Sequence, residues 1–251
     1  MRKALMFASG RDQHNPSPAT PDRPDPGLLR QVPMFEQLDD QVLSRLGTVT
    51  EHACVGAGTE LCREGDTARS LHVLLDGLVT LSTEAPNGRK AVVEVIRPTR
   101  HVVLATVLAK LPYAVTAEAI AASRLLVIDA TGLHTLLREN AALADGLMRG
   151  QALDFRAMVR QVCDLKLQTA AQRLGCYLLE LAQQQHARGA QLRLPIGKQL
   201  LAAQLGCRPE NISRAFTSLR KLGVETHGKM VILHNIPRLQ EFAFAAGPIP
   251  A

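Results

Sequence analysis

LPIGKQLLAAQLGCRPENISRAFTSLRKLG, residues 194–223, decides the fold of the chain because it predicts two short helices joined by a tight turn. The first helix should end at Gly206, since glycine readily adopts the left-handed backbone that closes a helix. Pro209 suits the first turn of the second helix, where its missing N–H breaks no hydrogen bond. This segment is therefore predicted to be a helical hairpin.

The second helix of the hairpin has an apolar face and a polar face. Glu210, Ser213, Arg214 and Thr217 lie three or four positions apart, so they share one side of the helix. An apolar back and a hydrogen-bonding front are what a recognition helix needs in the DNA major groove. An ordinary helical hairpin with a solvated polar face fits this spacing equally well. The apolar side is formed by Ile212, Ala215, Phe216, Leu219 and Leu222.

The segment that follows favours the DNA-binding alternative. Residues 224–233 predict two short strands around a turn at His227-Gly228, and a helix-turn-helix followed by a β-hairpin is a winged helix. Residues 165–251 carry 11 Lys and Arg against 4 Asp and Glu, whereas the rest of the chain carries 18 against 19. The basic excess therefore lies on the segment with the proposed reading helix, as expected of a module that binds phosphates.

Residues 206–214, GCRPENISR, resemble the recognition-helix motif of the CRP/FNR family of bacterial transcription regulators, in its Glu-x-x-Ser-Arg form. The resemblance extends from about Val32 to Phe244. It implies a homodimer that binds double-stranded DNA at a palindrome like TTGAT-N4-ATCAA and contacts RNA polymerase. It also implies an α+β fold with an N-terminal β-roll (a cyclic-nucleotide-binding-like jelly roll), a long dimerisation helix and a C-terminal winged helix-turn-helix.

Base contacts are expected from Glu210, Ser213 and Arg214. The Arg214 guanidinium can donate two hydrogen bonds to guanine, and the Glu210 carboxylate can accept one from cytosine N4. Phosphate contacts position a protein on DNA without reading its sequence. The candidates for these contacts are Lys198, Arg208, Lys221 and Lys229.

Length and composition agree with a two-domain protein. At 251 residues and 46% apolar content the chain can bury two cores, and no run approaches the ~20 apolar residues of a membrane span. Only a short apolar patch follows the first residues, so we expect no secretory signal. The cysteines form no CxxC pair, which argues against a disulfide framework or zinc site and suits the cytoplasm. They are Cys54, Cys62, Cys163, Cys176 and Cys207.

Four segments are expected along the chain. Residues 1–27 are rich in proline and predicted to be a disordered tail, and residues 28–134 are predicted to form the β-roll. Residues 135–164 should form the dimerisation helix, and residues 165–251 the DNA-binding domain. A seam of apolar residues with the 3.5-residue period of a coiled coil predicts the dimer, although a helix packed on its own domain is the alternative. The seam is Met148, Ala152, Phe155, Val159 and Val162.

The sensor domain departs from relatives that bind cyclic nucleotides. Those relatives supply a Gly-Glu pair and then an Arg-Ser or Arg-Thr pair, because a buried phosphate needs a cation and backbone donors. Residues 101–114 contain neither glycine nor carboxylate, and Lys110 stands near the place of the arginine. We therefore expect no cAMP binding by the usual mode. An iron–sulfur cluster is not expected either, because the cysteines are scattered.

The sequence does not identify the effector. Some relatives sense CO or NO through haem, and His72 or His101 could be an axial ligand, although packing or surface roles are the alternative. The apolar stretch 102–111 predicts either the lining of an effector pocket or side chains that fill it. The candidate pocket residues are His101, Val102, Leu104 and Tyr113.

Two other classes of protein are the alternatives to a transcription regulator. No Ser-His-Asp set, nucleophile elbow, P-loop or HExxH motif occurs in the sequence, so we expect no enzyme and no catalytic residue. A β-roll ligand-binding protein whose C-terminal helices only scaffold a partner is the other alternative. Steeply salt-dependent binding to a palindromic duplex would separate the regulator from both.

Overall fold

The computed structural model describes residues 24–88, 90–185 and 191–245. The described chain begins with a small helical layer, so the start of this layer falls inside the range predicted to be a tail. Most of that tail, residues 1–23, lies outside the described residues. The layer consists of α1 (Pro26–Arg30), a 3-10 turn (Pro33–Phe35) and α2 (Asp40–Gly47). Asp39 caps α2 by accepting a hydrogen bond from the Val42 N–H at 2.8 Å.

Two four-stranded antiparallel sheets form the predicted β-roll. Their strand orders are β1-β8-β3-β6 and β2-β7-β4-β5. The inward-facing side chains of the first sheet form one core with the helical layer, in which Phe35, Leu71 and Leu126 are completely buried. The strands are β1 (Thr50–Val55), β2 (Glu60–Cys62), β3 (Ser70–Asp76), β4 (Val79–Glu84), β5 (Lys90–Ile96), β6 (Arg100–Val102), β7 (Thr116–Ala119) and β8 (Ser123–Asp129).

Gly77 divides the β-rich stretch 71–82 into strands β3 and β4. Its φ of +100° belongs to the region that favours glycine, and a Cβ at this position would lie 2.7 Å from the carbonyl oxygen of Ala122. The chain can therefore reverse here only without a side chain. This close approach places β4 in the second sheet while β3 remains in the first.

A helix that the sequence did not predict, α3 (Leu104–Ala109), lies between β6 and β7. Leu104 and Val107 point into the core and are each 1% exposed. Residues with left-handed backbone stand at both ends, Val103 with φ 48° and Lys110 with φ 56°. The sequence left two alternatives for this stretch, either lining an effector pocket or filling it with side chains. Leu104 and Val107 fill the interior.

Replacing Lys110 by glycine should raise the free energy of unfolding by about 0.5–1 kcal/mol. A left-handed backbone is strained for residues with a Cβ, and glycine is the residue that most often closes a helix in this conformation. Lys110 is exposed, so few contacts are lost with its side chain. Urea-induced unfolding measures the gain, and Lys110→Ala is the control because it keeps the Cβ. Equal stability of the two variants would contradict the prediction.

Two helices, rather than one, occupy the range that follows the β-roll. They are α4 (Ala130–Glu139) and α5 (Ala141–Leu167). Asn140 separates them, and its side chain caps α5 by accepting a hydrogen bond from the Leu143 N–H at 2.8 Å. With 27 residues, α5 is about 40 Å long.

The C-terminal part is the predicted winged helix-turn-helix. It contains α6 (Ala170–Gln184), β9 (Gln191–Arg193), α7 (Lys198–Gln204), α8 (Pro209–Arg220), β10 (Val224–His227), β11 (Met230–Leu233) and α9 (Ile236–Ala243). A capping box of Thr169 and Gln172 starts α6, and Leu167 is the last residue of α5. The sequence did not predict β9, which adds a third strand to the hairpin in the order β10-β11-β9. It also did not predict α9, which packs on α6 beside Gly175.

The β-roll and the C-terminal part are in contact. Val95 of β5 is 3% exposed and lies in the hydrophobic cluster of the C-terminal part. The guanidinium of Arg97 donates a hydrogen bond to the Tyr177 hydroxyl at 2.9 Å and lies 5.6 Å from the centre of that ring. Among the described residues no helix is both long and apolar enough to span a membrane.

Candidate nucleic-acid interface

The turn between α7 and α8 sets the orientation of α8 relative to α7. Gly206 has a φ of +61°, and its N–H donates to the Ala203 carbonyl at 3.0 Å. The Cys207 N–H donates to the Ala202 carbonyl at 2.9 Å, so the last carbonyls of α7 are satisfied. A Cβ on Gly206 would overlap with the side chain of Leu165 at the end of α5. The turn therefore favours glycine and contacts the long helix directly.

The apolar face of α8 is buried as its spacing predicts. Ile212, Ala215, Phe216 and Leu219 lie in the cluster formed with α6 and α7. The ammonium group of Lys198 lies 5.1 Å from the centre of the Phe216 ring, a cation–π contact at the start of α7. This packing leaves the opposite face of α8 towards solvent.

The exposed face of α8 carries the predicted base-reading residues. Glu210, Ser213 and Arg214 are all exposed. Within the described part of the chain, neither Glu210 nor Arg214 forms an ion pair or a side-chain hydrogen bond. The hydroxyls of Ser213 and Thr217 donate to backbone carbonyls four residues earlier, at 3.3 and 3.1 Å. The charged ends of Glu210 and Arg214 are therefore available to a ligand without breaking an internal contact.

The predicted phosphate-contacting residues surround α8 on separate elements. Arg208 is the N-cap residue of α8 and Lys221 its C-cap residue, while Lys229 lies in the turn of the β10–β11 hairpin. Together with Lys198 they are exposed, and none of the four forms an ion pair with another described residue. They place positive charge on both ends of α8 and on the wing, which is the β10–β11 hairpin.

A polar cluster on the wing was missed by the sequence analysis. The Glu225 carboxylate lies 2.8 Å from Nε2 of His227 and 2.9 Å from Nε2 of His234. Hydrogen bonds from His234 and His227 lower the pKa of Glu225. Glu225 and His227 alternate along β10 and share a face, a signal that the sequence contained. This cluster partly offsets the basic character of the wing at neutral pH.

The four candidate effector residues do not form one site. His101 lines a cavity of about 420 Å³ between the 3-10 turn and α5, whereas Tyr113 lines another of about 500 Å³ beside His72. Val102 and Leu104 line neither cavity and are buried in the core. Residues 101 and 102 follow each other in β6, and consecutive residues of a strand point to opposite faces.

Several partly or fully buried titratable side chains have shifted pKa values. Burial lowers the pKa of His72 to about 4 and also lowers that of His101. Burial raises the pKa of Cys62 and of Cys176 to about 11, so both thiols stay protonated at neutral pH. All five cysteines are free. Across the described ranges, no three His, Cys, Asp or Glu side chains converge as they would around a metal ion.

Two domain families match the chain in the same order as the folded parts. Residues 54–140 match the family described as cyclic nucleotide-binding domain, and residues 172–242 match the Crp-like helix-turn-helix domain. The β-roll, the exposed polar face of α8 and these matches define a transcription regulator with a DNA-binding helix-turn-helix. The similar proteins assign the chain to one family within this class. The chain belongs to the CRP/FNR family of transcriptional regulators.

The relatives are regulators of transcription. The chain is 29% identical to the probable transcriptional regulator flp of Lacticaseibacillus casei over 216 residues, which cover 85% of this chain and 96% of that protein. It is 28% identical to the transcriptional activator protein FnrA of Stutzerimonas stutzeri, with coverages of 69% and 72%. Since these relatives belong to a family of regulators and not of enzymes, the expectation of a non-enzymatic protein is confirmed.

The fold is that of solved family members. The structure of FixK2 from Bradyrhizobium japonicum superposes with a TM-score of 0.66, covering 81% of this chain and all of that chain. At 20% identity this likeness establishes the fold alone. The predicted α+β architecture of β-roll, long helix and winged helix-turn-helix is confirmed.

Proposed function

We propose that the protein is a homodimer that binds a palindromic DNA site resembling TTGAT-N4-ATCAA and regulates transcription from it. The observation that carries this proposal is the exposed face of α8, on which Arg214 and Glu210 lack internal partners among the described residues. The four cations around α8 supply the phosphate contacts that such a face requires. RNA polymerase is a further expected partner on the resemblance alone.

Each base-reading residue has a distinct role in this proposal. Arg214 donates two hydrogen bonds to O6 and N7 of a guanine in the major groove, and Glu210 accepts one from a cytosine amino group. Ser213 lies between them and adds a short contact to a neighbouring base. Lys198, Arg208, Lys221 and Lys229 bind phosphates and set the position of α8 in the groove.

The exposed side of α5 supports dimerisation. Phe155 is 62% exposed and Val159 46% exposed, although both are large apolar residues. Their spacing continues from Met148 to Val162 with the coiled-coil period, so a second copy of α5 can cover them. Two helix-turn-helix units then read two half-sites about 34 Å apart, which explains the palindrome.

The residues of the β-roll argue against cAMP, the ligand that its family name suggests. A bound cyclic phosphate needs a cation and backbone donors inside the β-roll. The segment that would supply them is α3, and it directs Leu104 and Val107 into the core instead. We propose that cAMP is not the effector; calorimetric titration with cAMP tests this, and micromolar binding would contradict it. His72 and His101 line different cavities, so they are separate alternatives for an axial haem ligand and not a pair.

Arg214→Ala should weaken binding to the palindromic duplex by about 1–3 kcal/mol and remove the preference for guanine at one position of each half-site. The matched comparison is Lys229→Ala, which should weaken binding to the palindrome and to a shuffled duplex alike. Fluorescence anisotropy with both duplexes at several salt concentrations measures these effects. If Arg214→Ala weakened both duplexes equally, Arg214 would not be a base-reading residue.

A further inference from the structure

A cavity of about 420 Å³ lies where the N-terminal layer, the β-roll and the long helix meet. Its walls come from the segment between the 3-10 turn and α2, from the start of β6, and from the first half of α5. Pockets for small molecules commonly measure about 300–1,000 Å³ and lie between elements of different layers. This cavity is separate from α3, the segment that corresponds to the nucleotide cassette.

Two glycines of α5 create the space. A Cβ on Gly146 would overlap with the carbonyl of Met34, so the N-terminal turn approaches the helix closely there. One turn further along, a Cβ on Gly150 would meet nothing closer than 3.7 Å, the distance to Nε2 of His101 and to Met34. The helix is therefore held against the turn at Gly146, whereas at Gly150 a side chain could extend into the cavity with only ordinary van der Waals contacts. Leu38 and Leu153 add apolar surface to the lining.

The arginines that line the cavity are already paired with carboxylates. The Arg100 guanidinium contacts Glu94 at 2.5 Å and Asp154 at 2.9 Å, and Arg149 contacts Asp145 at 3.0 Å. His101, 6% exposed, lies 3.2 Å from the other oxygen of Asp154. Burial lowers the pKa of His101, so the ring is neutral at pH 7 and adds no positive charge.

The lining therefore has an excess of negative charge. Three carboxylates face the cavity, from Glu36, Asp145 and Asp154, against the two guanidinium groups of Arg100 and Arg149. Glu36 forms no ion pair with any residue that the structure describes. The guanidinium of Arg100 also pairs with Glu94, which lies outside the cavity. A ligand that complements this lining has an apolar body and a positive charge, whereas an anion would meet repulsion.

We propose that this cavity binds a small organic amine. The apolar body lies against Met34, Leu38 and the open side of Gly150, and the ammonium group lies on the side of Glu36 and Asp145. The site belongs jointly to the β-roll and to α5, so its occupant contacts both the sensor and the helix that carries the seam. The proposal concerns ligand binding and does not depend on DNA recognition.

Tryptamine is a suitable probe, because the chain contains no tryptophan and the indole of the ligand can be excited selectively. The fluorescence anisotropy of tryptamine should rise and saturate as the 251-residue protein is added, with a Kd below about 1 mM. Indole-3-acetate carries the same ring with a negative charge and should bind at least about 10-fold more weakly. Absence of saturation with tryptamine, or equal binding of the two compounds, would overturn the proposal.

Three variants locate the site. Gly150→Leu places a side chain in the open space and should abolish tryptamine binding. Asp145→Asn should weaken tryptamine at least about 10-fold and leave indole-3-acetate no weaker than before, which keeps the test valid if Gly150→Leu fails to fold. Glu51→Gln removes an exposed carboxylate from β1, which lies at the opposite edge of the first sheet from β6, and should change nothing. Unchanged binding in Asp145→Asn and in a folded Gly150→Leu would place tryptamine elsewhere.

Discussion

Replacing Phe155 and Val159 together by glutamate should convert the protein from a dimer into a monomer and weaken binding to the palindromic duplex by at least about 100-fold. Both side chains belong to the exposed apolar seam of α5. Four added charges in a paired seam would repel each other and would have to be desolvated. A monomer reads only one half-site and loses the gain that comes from linking two binding units.

Sedimentation equilibrium measures the first effect, and fluorescence anisotropy with the palindrome measures the second. The matched control is the pair Ala157→Glu and Gln161→Glu, which adds the same charge to α5 away from the seam and should remain dimeric. Binding to a duplex with a single half-site separates the two effects, because the seam variant should bind it about as well as the unmodified protein. A seam variant that stayed dimeric would favour another interface.

Lowering the pH from 7.5 to 4.5 should destabilise the protein, and His72 alone should account for about 2–3 kcal/mol of the loss. Burial lowers the pKa of His72 to about 4, against about 6.5 in the unfolded chain. Between these two values the unfolded chain binds a proton that the native protein excludes. Stability is therefore complete above pH 6.5 and declines as the pH falls towards 4.

His72→Leu removes this titration and should reduce the pH-dependent loss of stability by about the same amount. The comparison is between the two pH values within each protein, so a cavity or packing effect of the substitution cancels. Urea-induced unfolding at both pH values measures it. His227→Leu is the control, because His227 is exposed on the wing and its removal should leave most of the loss in place. An equal loss with and without His72 would show that its burial does not govern acid stability.

The sequence predicted the DNA-binding part because its signals are local. Gly206 ends one helix and Pro209 starts the next, and the apolar positions of α8 follow one period without interruption. Gly228 lies in the turn that joins the two predicted strands, although the turn residues are Gly228 and Lys229 and His227 still pairs with Met230. Propensity, pattern and turn chemistry agree here, which makes a prediction from short segments dependable.

The sensor half was harder to predict because its decisive contacts join distant segments. The helix α3 is bounded by Val103 and Lys110 in left-handed conformations, and neither residue type indicates such a position. The apolar seam on α5 was visible in the sequence as a repeat of about 3.5 residues. The break between α4 and α5 depends only on the N-cap residue Asn140. His101 and Asp154 lie 53 positions apart, so no local pattern could place them in one cavity. The effector prediction grouped His101, Val102, Leu104 and Tyr113, although His101 and Tyr113 line different cavities and the other two are buried in the core.

The close approach of Gly206 to Leu165 has a thermodynamic consequence. Leu165 stands in the last turn of α5, and α5 runs from the sensor cavity to the turn that orients α8. Because the side chain of Leu165 packs against the turn at Gly206, we expect a rotation of α5 to displace the start of α8. Any occupant of the sensor that favours one orientation of α5 then changes operator affinity by some factor. Linkage requires the operator to change the affinity for that occupant by the same factor.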